Sequence, residues 1–177
     1  MKHSEMKKFV QDLNTEEKAQ IVGILLNNSP DLTKKIYDTA MEVVIGVEAG
    51  EIEDDVYYEL DMLDLDEMNS RSGRTQYGYV EPYEAAWEMF EEALSAFIEE
   101  MKKNQKRALH TVAKTHCIGI VKGLLRYDRE SSSDFKDWVT DAPGEYVDMV
   151  VEDWKKGNPS DEDIAEVMNF VKDGKQK

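Results

Sequence analysis

Cysteine, proline, glycine and long apolar runs are all scarce in this 177-residue sequence. A single cysteine, Cys117, excludes an intrachain disulfide framework. No apolar run approaches about 18 residues, so the sequence predicts no membrane span. The first thirteen residues, MKHSEMKKFVQDL, lack the continuous apolar stretch of a secretory signal. We therefore expect a cytoplasmic protein, because a reducing compartment suits such sparing use of cysteine.

The four prolines and ten glycines leave few interruptions to regular structure. Three of the prolines (Pro30, Pro82 and Pro143) stand where helices can begin. The composition is rich in Glu, Asp, Lys, Ala and Met, which favours helices over strands. No stretch alternates apolar and polar residues cleanly enough to predict a strand. The sequence therefore predicts an all-α protein.

Apolar residues recur at helical spacing along the chain and predict seven to nine helices, most of them joined by tight turns. Within this series residues 52–69 predict an acidic helix or helix pair, and the helix before them is expected to end near Gly50. Neighbouring helices are expected to pair in order: 15–27 with 30–48, 82–103 with 106–127, and 142–156 with 161–172. Such pairing favours antiparallel helical hairpins stacked as an irregular bundle or a short α-solenoid of the TPR/HEAT-like kind. We expect one helical domain over residues 1–177, with 1–13 and 173–177 loosely attached.

The strongest pattern is a pair of long helices at 82–103 and 106–127. The first has a wide apolar face rich in aromatic residues and an outer face of glutamates, and the second has an outer face of Lys and Arg. A short link between them predicts an antiparallel hairpin. Most of its stability should come from the apolar face, at roughly 1.5–3 kcal/mol per large side chain buried. Exposed ion pairs add only about 0–1 kcal/mol each.

The net charge of −16 is unevenly distributed. Residues 51–100 hold 16 acidic residues and two arginines, a net of −14, whereas residues 101–126 hold seven basic residues and no acidic one. An acidic chain repels the phosphate backbone of DNA or RNA and an anionic membrane surface. We therefore expect neither nucleic acid nor membrane as a direct partner.

No arrangement of residues predicts a metal site or a catalytic residue. His110 and His116 are six apart on one helix and so point to different faces. His116 and Cys117 are adjacent, which favours a core histidine beside a core thiol. The acidic run around Asp61 and Asp64 lacks the glycine and the spacing of a calcium loop. No nucleophile or phosphate-binding motif occurs, so no cofactor is expected.

Residues 70–80, SRSGRTQYGYV, interrupt the helical pattern and predict the one substantial ordered loop. Arg71 and Arg74 are the only cations of residues 51–100, and Tyr77 and Tyr79 follow them. The loop could bind an anion or a partner's acidic group, since Arg offers a planar fork of donors. Alternatively, both arginines pair with neighbouring carboxylates while the two tyrosines pin the loop to the core.

The run Gly78-Tyr79-Val80-Glu81-Pro82 leads into an acidic helix rich in Ala, Trp and Phe, followed by a helix with Cys117. Together with the upstream Leu25-Leu26 and Ser29-Pro30-Asp31-Leu32, it resembles the helical region of prokaryotic proteins that carry a SWIM zinc-binding module. The Cys-x-Cys and Cys-x-His of that module are absent, so its nucleic-acid role does not carry over. The resemblance implies a stand-alone helical-repeat domain of the scaffold kind.

Three functions fit the sequence. The first is a non-enzymatic protein-interaction or scaffold module whose partner is basic and drawn to residues 51–100. The second is a metal-dependent nucleotide hydrolase that uses helix carboxylates, and the third is an acidic protein that mimics DNA. The hydrolase would use pairs spaced Glu-x-x-Glu and Glu-x-x-Asp: Glu81/Glu84, Glu88/Glu91 and Glu145/Asp148. The candidate partner-binding residues are Arg71, Arg74, Tyr77, Tyr79, Glu88, Glu91 and Glu92.

Overall fold

A computed structural model describes residues 3–76 and 78–175, apart from the side chains of Val44, Thr75 and Lys175. These ranges contain nine α-helices, one 3₁₀ helix and one two-stranded antiparallel sheet, which confirms the predicted all-α class. The helices are α1 (His3–Asp12), α2 (Thr15–Asn28), α3 (Pro30–Ile45), α4 (Ala49–Asp61), α5 (Leu65–Arg71), α6 (Pro82–Lys106), α7 (His110–Glu130), α8 (Ala142–Lys155) and α9 (Asp161–Lys175). The strands are β1 (Gly73–Thr75) and β2 (Gly78–Val80), and the 3₁₀ helix is Asp134–Trp138.

Several helices begin at residues whose side chains cap the first turn. The Asn14 side chain accepts a hydrogen bond from the Glu17 N–H at 2.9 Å, and the Asn14 N–H donates one to the Glu17 carboxylate at 2.9 Å. Ser29 caps α3, which has Pro30 in its first turn. The Ser160 hydroxyl accepts from the first turn of α9 at 3.2 Å. These local contacts satisfy backbone donors that a helix start otherwise leaves unpaired.

Two helix boundaries differ from expectation around residue 50. The third helix ends at Ile45, with Gly46 as its C-cap, rather than near Gly50. Gly50 instead lies in the first turn of α4. The acidic stretch that follows is a helix pair, α4 and α5, in which Asp64 caps the second helix. Its side chain accepts hydrogen bonds from two N–H groups of α5. These local bonds favour a new helix start over a continuous helix and so separate α4 from α5.

Backbone contacts divide the chain into two compact units, Met1–Gly46 and Val47–Lys177. We refer to them as the N-terminal unit and the C-terminal unit. The assignment of residues 1–177 to one domain, with loosely attached ends, stays a prediction.

The N-terminal unit consists of α1, α2 and α3, with α2 packed against α3. No described side chain of this unit is buried. Its large apolar side chains are exposed instead: Met6, Phe9, Val10, Ile21, Val22, Ile24, Leu26, Leu32, Tyr37, Val43 and Ile45. A unit of this size buries too small a fraction of its surface to form a substantial core of its own.

The C-terminal unit is organised around α7, which packs against α4, α6, α8 and α9. Its most extensive contact is with α4, which lies almost fifty residues away along the chain. In a solenoid each repeat contacts only its neighbours. The C-terminal unit is therefore an irregular helical bundle, and the TPR/HEAT-like alternative is not confirmed. The expected pairing of α6 with α7 is confirmed, whereas α8 and α9 pack on α7 more than on each other.

Two glycines of α7 allow α4 to approach closely. A Cβ at Gly119 would lie 2.6 Å from the Cβ of Ile52 and 2.8 Å from the Ala49 carbonyl oxygen. One turn further on, a Cβ at Gly123 would lie 2.6 Å from the Cβ of Val56. The two helix backbones therefore approach within a distance that any larger residue would prevent.

Among residues 3–76 and 78–175, no helix is long and apolar enough to cross a membrane.

Candidate interaction surface

The outer face of α6 carries a row of exposed carboxylates. At 100° per residue, their positions fall on the side of the helix opposite the buried Met89, Phe90 and Leu94. We call this set the α6 carboxylate row: Glu84, Glu88, Glu91, Glu92 and Glu99. Two of its members, Glu88 and Glu92, are four residues apart, a spacing at which like charges repel along a helix.

The cations of α7 do not neutralise this row. Lys114 binds Asp163 and Glu166 of α9 at 2.7 and 2.8 Å. Further along α7, Arg126 binds Asp54 of α4 at 2.6 Å, and its guanidinium lies 4.3 Å from the centre of the Tyr57 ring. Among the described residues, no ion pair joins an α7 cation to an α6 carboxylate. Adjacent helices of opposite charge thus pair mainly through their apolar faces.

Within the row, only the last two members have a cation beside them in the described chain. Arg71 binds Glu92 at 2.6 Å and Glu67 at 2.7 Å. The pKa of Arg71 is raised, first by the hydrogen bond to Glu92 and then by the one to Glu67. Lys102 lies 3.7 Å from Glu99. Glu88 and Glu91 have no ion pair among the described residues, so their charges face solvent.

The predicted loop over residues 70–80 is wrong in part, because it contains a short β-hairpin. Gly73 pairs with Val80 and Arg74 pairs with Tyr79 across the two strands. Gly73 and Gly78 have positive φ angles of 93° and 141°, which other residues rarely adopt. These two glycines, which begin β1 and β2, therefore allow backbone conformations that a search for alternating apolar residues does not detect.

The candidate residues of this hairpin differ in their surroundings. Arg71, at the end of α5, pairs with neighbouring carboxylates. This agrees with the second of the two interpretations given above for this arginine. Arg74 and Tyr79 lie opposite each other, so both side chains project from the same face of the hairpin. Tyr79 is 65% exposed and does not pin the hairpin to the core. Tyr77 lies outside the described residues.

Tyr146 is influenced by two carboxylates that the hydrolase alternative would use. Its ring packs on Trp87 and Phe90, with ring centres 6.3 and 5.4 Å apart. Burial raises the pKa of its hydroxyl to about 12, and the charges of Glu91 and Glu145 add to that rise. The charges of Glu91 on α6 and Glu145 on α8 thus both act on one phenol. In the described part of the chain, however, no three His, Cys, Asp or Glu residues are placed to hold a metal ion.

His116 and Cys117 lie in the core of the C-terminal unit, as the sequence predicts. The thiol is fully buried, and burial raises its pKa to about 12. Burial lowers the pKa of His116, while the charge of Glu100 opposes this effect. A thiol with a raised pKa is a poor nucleophile, since the thiolate is the reactive form.

Sequence reasoning missed the apolar surface of the N-terminal unit. The spacing of Leu32, Ile36 and Val43 predicts an apolar stripe on α3 correctly, yet the stripe is not buried. The signal that was available is size, because 46 residues cannot bury three amphipathic helices completely.

No protein-family model, no curated protein and no solved structure matches this chain. The resemblance to the helical region of SWIM-containing proteins stays a prediction.

Proposed function

We propose that this protein is a non-enzymatic interaction module that binds a basic protein partner through the α6 carboxylate row. The observation that carries the proposal is the pairing of the α7 cations with α4 and α9. Because those cations are already engaged, the negative charge of α6 is left for a partner. Complementary charge accelerates association and selects partners of the opposite sign.

The centre of the row is the part most open to a partner. Glu92 already holds Arg71, whereas Glu88 and Glu91 hold no cation among the described residues. A partner's Lys or Arg can therefore approach these two carboxylates without displacing an internal ion pair. Arg74 and Tyr79, on the hairpin that precedes α6, offer a guanidinium and an exposed ring beside the row's N-terminal end.

The proposal is tested by affinity purification of the tagged protein from its native host at low and moderate salt. We expect one stoichiometric basic protein, captured at low salt and lost as salt rises, since salt screens exposed charges. The double variant Glu88→Lys/Glu91→Lys should abolish capture. The matched control, Glu162→Lys/Asp173→Lys, changes the net charge equally on α9 and should retain it.

Two results would contradict the proposal. One is capture of no protein by the wild-type chain at low salt. The other is a captured protein that survives both moderate salt and the Glu88→Lys/Glu91→Lys substitutions.

A further inference from the structure

Helix α3 presents an apolar stripe that its own unit leaves exposed. Leu32, Ile36, Ala40 and Val43 follow one another at spacings of four, four and three residues, which places them on one face. Leu32 is 39% exposed and Val43 is 70% exposed. Contiguous apolar surface of this kind marks a contact site in a soluble chain.

The stripe contains a groove of about 470 Å³ whose lining, among the described residues, comes from α3. Its lining residues are Lys35, Ile36, Thr39, Ala40 and Val43. Ala40 is the smallest of the apolar lining residues and lies between the larger Ile36 and Val43. A depression flanked by bulky side chains can receive the same bulky side chains from an identical helix. This is the self-complementary shape that a two-fold interface requires.

Charge distinguishes the N-terminal unit from the rest of the chain. Residues 1–46 hold six lysines and seven acidic residues, a net of −1, whereas residues 47–177 hold sixteen basic and thirty-one acidic residues, a net of −15. A basic foreign partner is attracted by the C-terminal unit. A second copy of the N-terminal unit meets a nearly neutral surface, without the repulsion that two C-terminal units would exert on each other.

A lysine and a glutamate of α3 are placed so that they can pair with the same residues of an antiparallel second copy of the helix. Lys35 and Glu42 are seven residues apart, so they lie two turns apart on the same flank of the stripe. Neither side chain makes an ion pair among the described residues. In an antiparallel helix pair whose two-fold axis passes between Asp38 and Thr39, each Lys35 comes opposite the Glu42 of the other copy, twice by symmetry.

From these observations we infer that the protein forms a homodimer in which α3 packs antiparallel against α3 of a second copy, with Ala40 near the crossing point. Stable interfaces bury about 800 Å² per partner and involve about 20–30 residues a side. The N-terminal unit has further exposed apolar side chains on α2, where Ile21 and Ile24 are three residues apart and share a face of the helix. The inference goes beyond the proposed function, because it uses a different unit and a different kind of partner.

Sedimentation velocity of the full chain, over a range of concentrations, tests the dimer. We expect a concentration-dependent monomer–dimer equilibrium when the protein concentration is varied at constant salt. Val43→Glu should raise the dimer dissociation constant at least about tenfold, since it places a charge in the apolar contact. The control Met62→Glu replaces a side chain that is 80% exposed in the C-terminal unit and should leave the constant unchanged.

A charge exchange tests the antiparallel arrangement independently of the stripe. Lys35→Glu and Glu42→Lys should each weaken the dimer, and the double variant Lys35→Glu/Glu42→Lys should restore it. Helicity by circular dichroism should stay unchanged in every variant, because all the altered side chains are exposed.

The inference is overturned by a chain that stays monomeric at every concentration, or by a dimer insensitive to Val43→Glu. It is also overturned by a double variant that fails to regain the wild-type constant. None of these results bears on the capture of a basic partner by Glu88 and Glu91, so the two proposals fail separately.

Discussion

Gly123 of α7 lies directly against Val56 of α4, with room for no side-chain atom between them. A Cβ at position 123 would lie 2.6 Å from the Cβ of Val56 and 2.9 Å from the Glu53 carbonyl oxygen. The carbonyl belongs to the backbone of α4, so it cannot move aside without shifting that helix. This contact fixes how closely the two helices with the most extensive packing in the C-terminal unit can approach.

Gly123→Ala should therefore destabilise the protein, even though alanine is the better helix former. Adding a methyl group to a filled core costs roughly 1–3 kcal/mol, which exceeds the gain of about 1 kcal/mol in helix propensity. The free energy of unfolding from urea denaturation measures the difference. Gly144→Ala is the matched control, since an added Cβ at Gly144 of α8 would have no described atom within 4 Å apart from its chain neighbours and its own helix backbone. It should stabilise the protein, and an equal loss in both variants would contradict the close approach.

Helices of both units could be predicted from the sequence because their causes are local. Capping side chains at Asn14, Ser29 and Ser160, and the apolar periodicity of α6, act within a few residues of chain. The packing around α7 could not be predicted in the same way. It depends on Gly119 and Gly123 meeting α4, a contact that joins residues far apart in the sequence.

The candidate interaction surface also has some features with local causes and others that depend on tertiary packing. The exposed position of Glu88 and Glu91 follows from helical periodicity and was predictable. Their lack of cation partners depends on where the α7 cations go, and tertiary packing alone decides that Lys114 reaches α9 and Arg126 reaches α4. The pairing of Arg74 with Tyr79 depends on two glycines with positive φ, which sequence periodicity does not report.

His116 should make stability depend on pH between neutral and mildly acidic conditions. Burial lowers the pKa of its imidazole below the unfolded value of 6.5. The unfolded chain therefore binds a proton more readily as the pH falls through 6.5, and folding stability declines over that range. The contribution is fully present above 6.5 and is lost as the pH falls to the folded pKa. Each unit of difference between the two pKa values corresponds to about 1.4 kcal/mol.

Urea denaturation at pH 7.5 and at pH 5.5 measures this dependence. His116→Leu should reduce the difference in unfolding free energy between the two conditions, because leucine does not titrate. His110→Gln, which alters an exposed histidine, should retain the wild-type difference. A pH dependence that is the same in all three proteins would contradict the role of His116.

Asn104 should limit stability rather than contribute to it. It is 1% exposed, and neither its Oδ1 nor its Nδ2 has a hydrogen-bond partner in the described part of the chain. A buried amide without partners costs roughly 1–3 kcal/mol. Asn104→Leu keeps a similar volume, removes that cost and favours the helix, so the free energy of unfolding should rise by about that amount.

The control for Asn104→Leu is Asn169→Leu on the exposed side of α9. It changes the helix propensity equally and should raise the free energy of unfolding by only a few tenths of a kcal/mol. Asn104→Asp should have the opposite effect from Asn104→Leu, because it buries a carboxylate without a partner. A loss of stability in Asn104→Leu would show that the amide is hydrogen-bonded in solution, for which a buried water is the physical candidate. The stabilities of Asn104→Leu and Asn104→Asp together thus show whether the buried amide of Asn104 has hydrogen-bond partners.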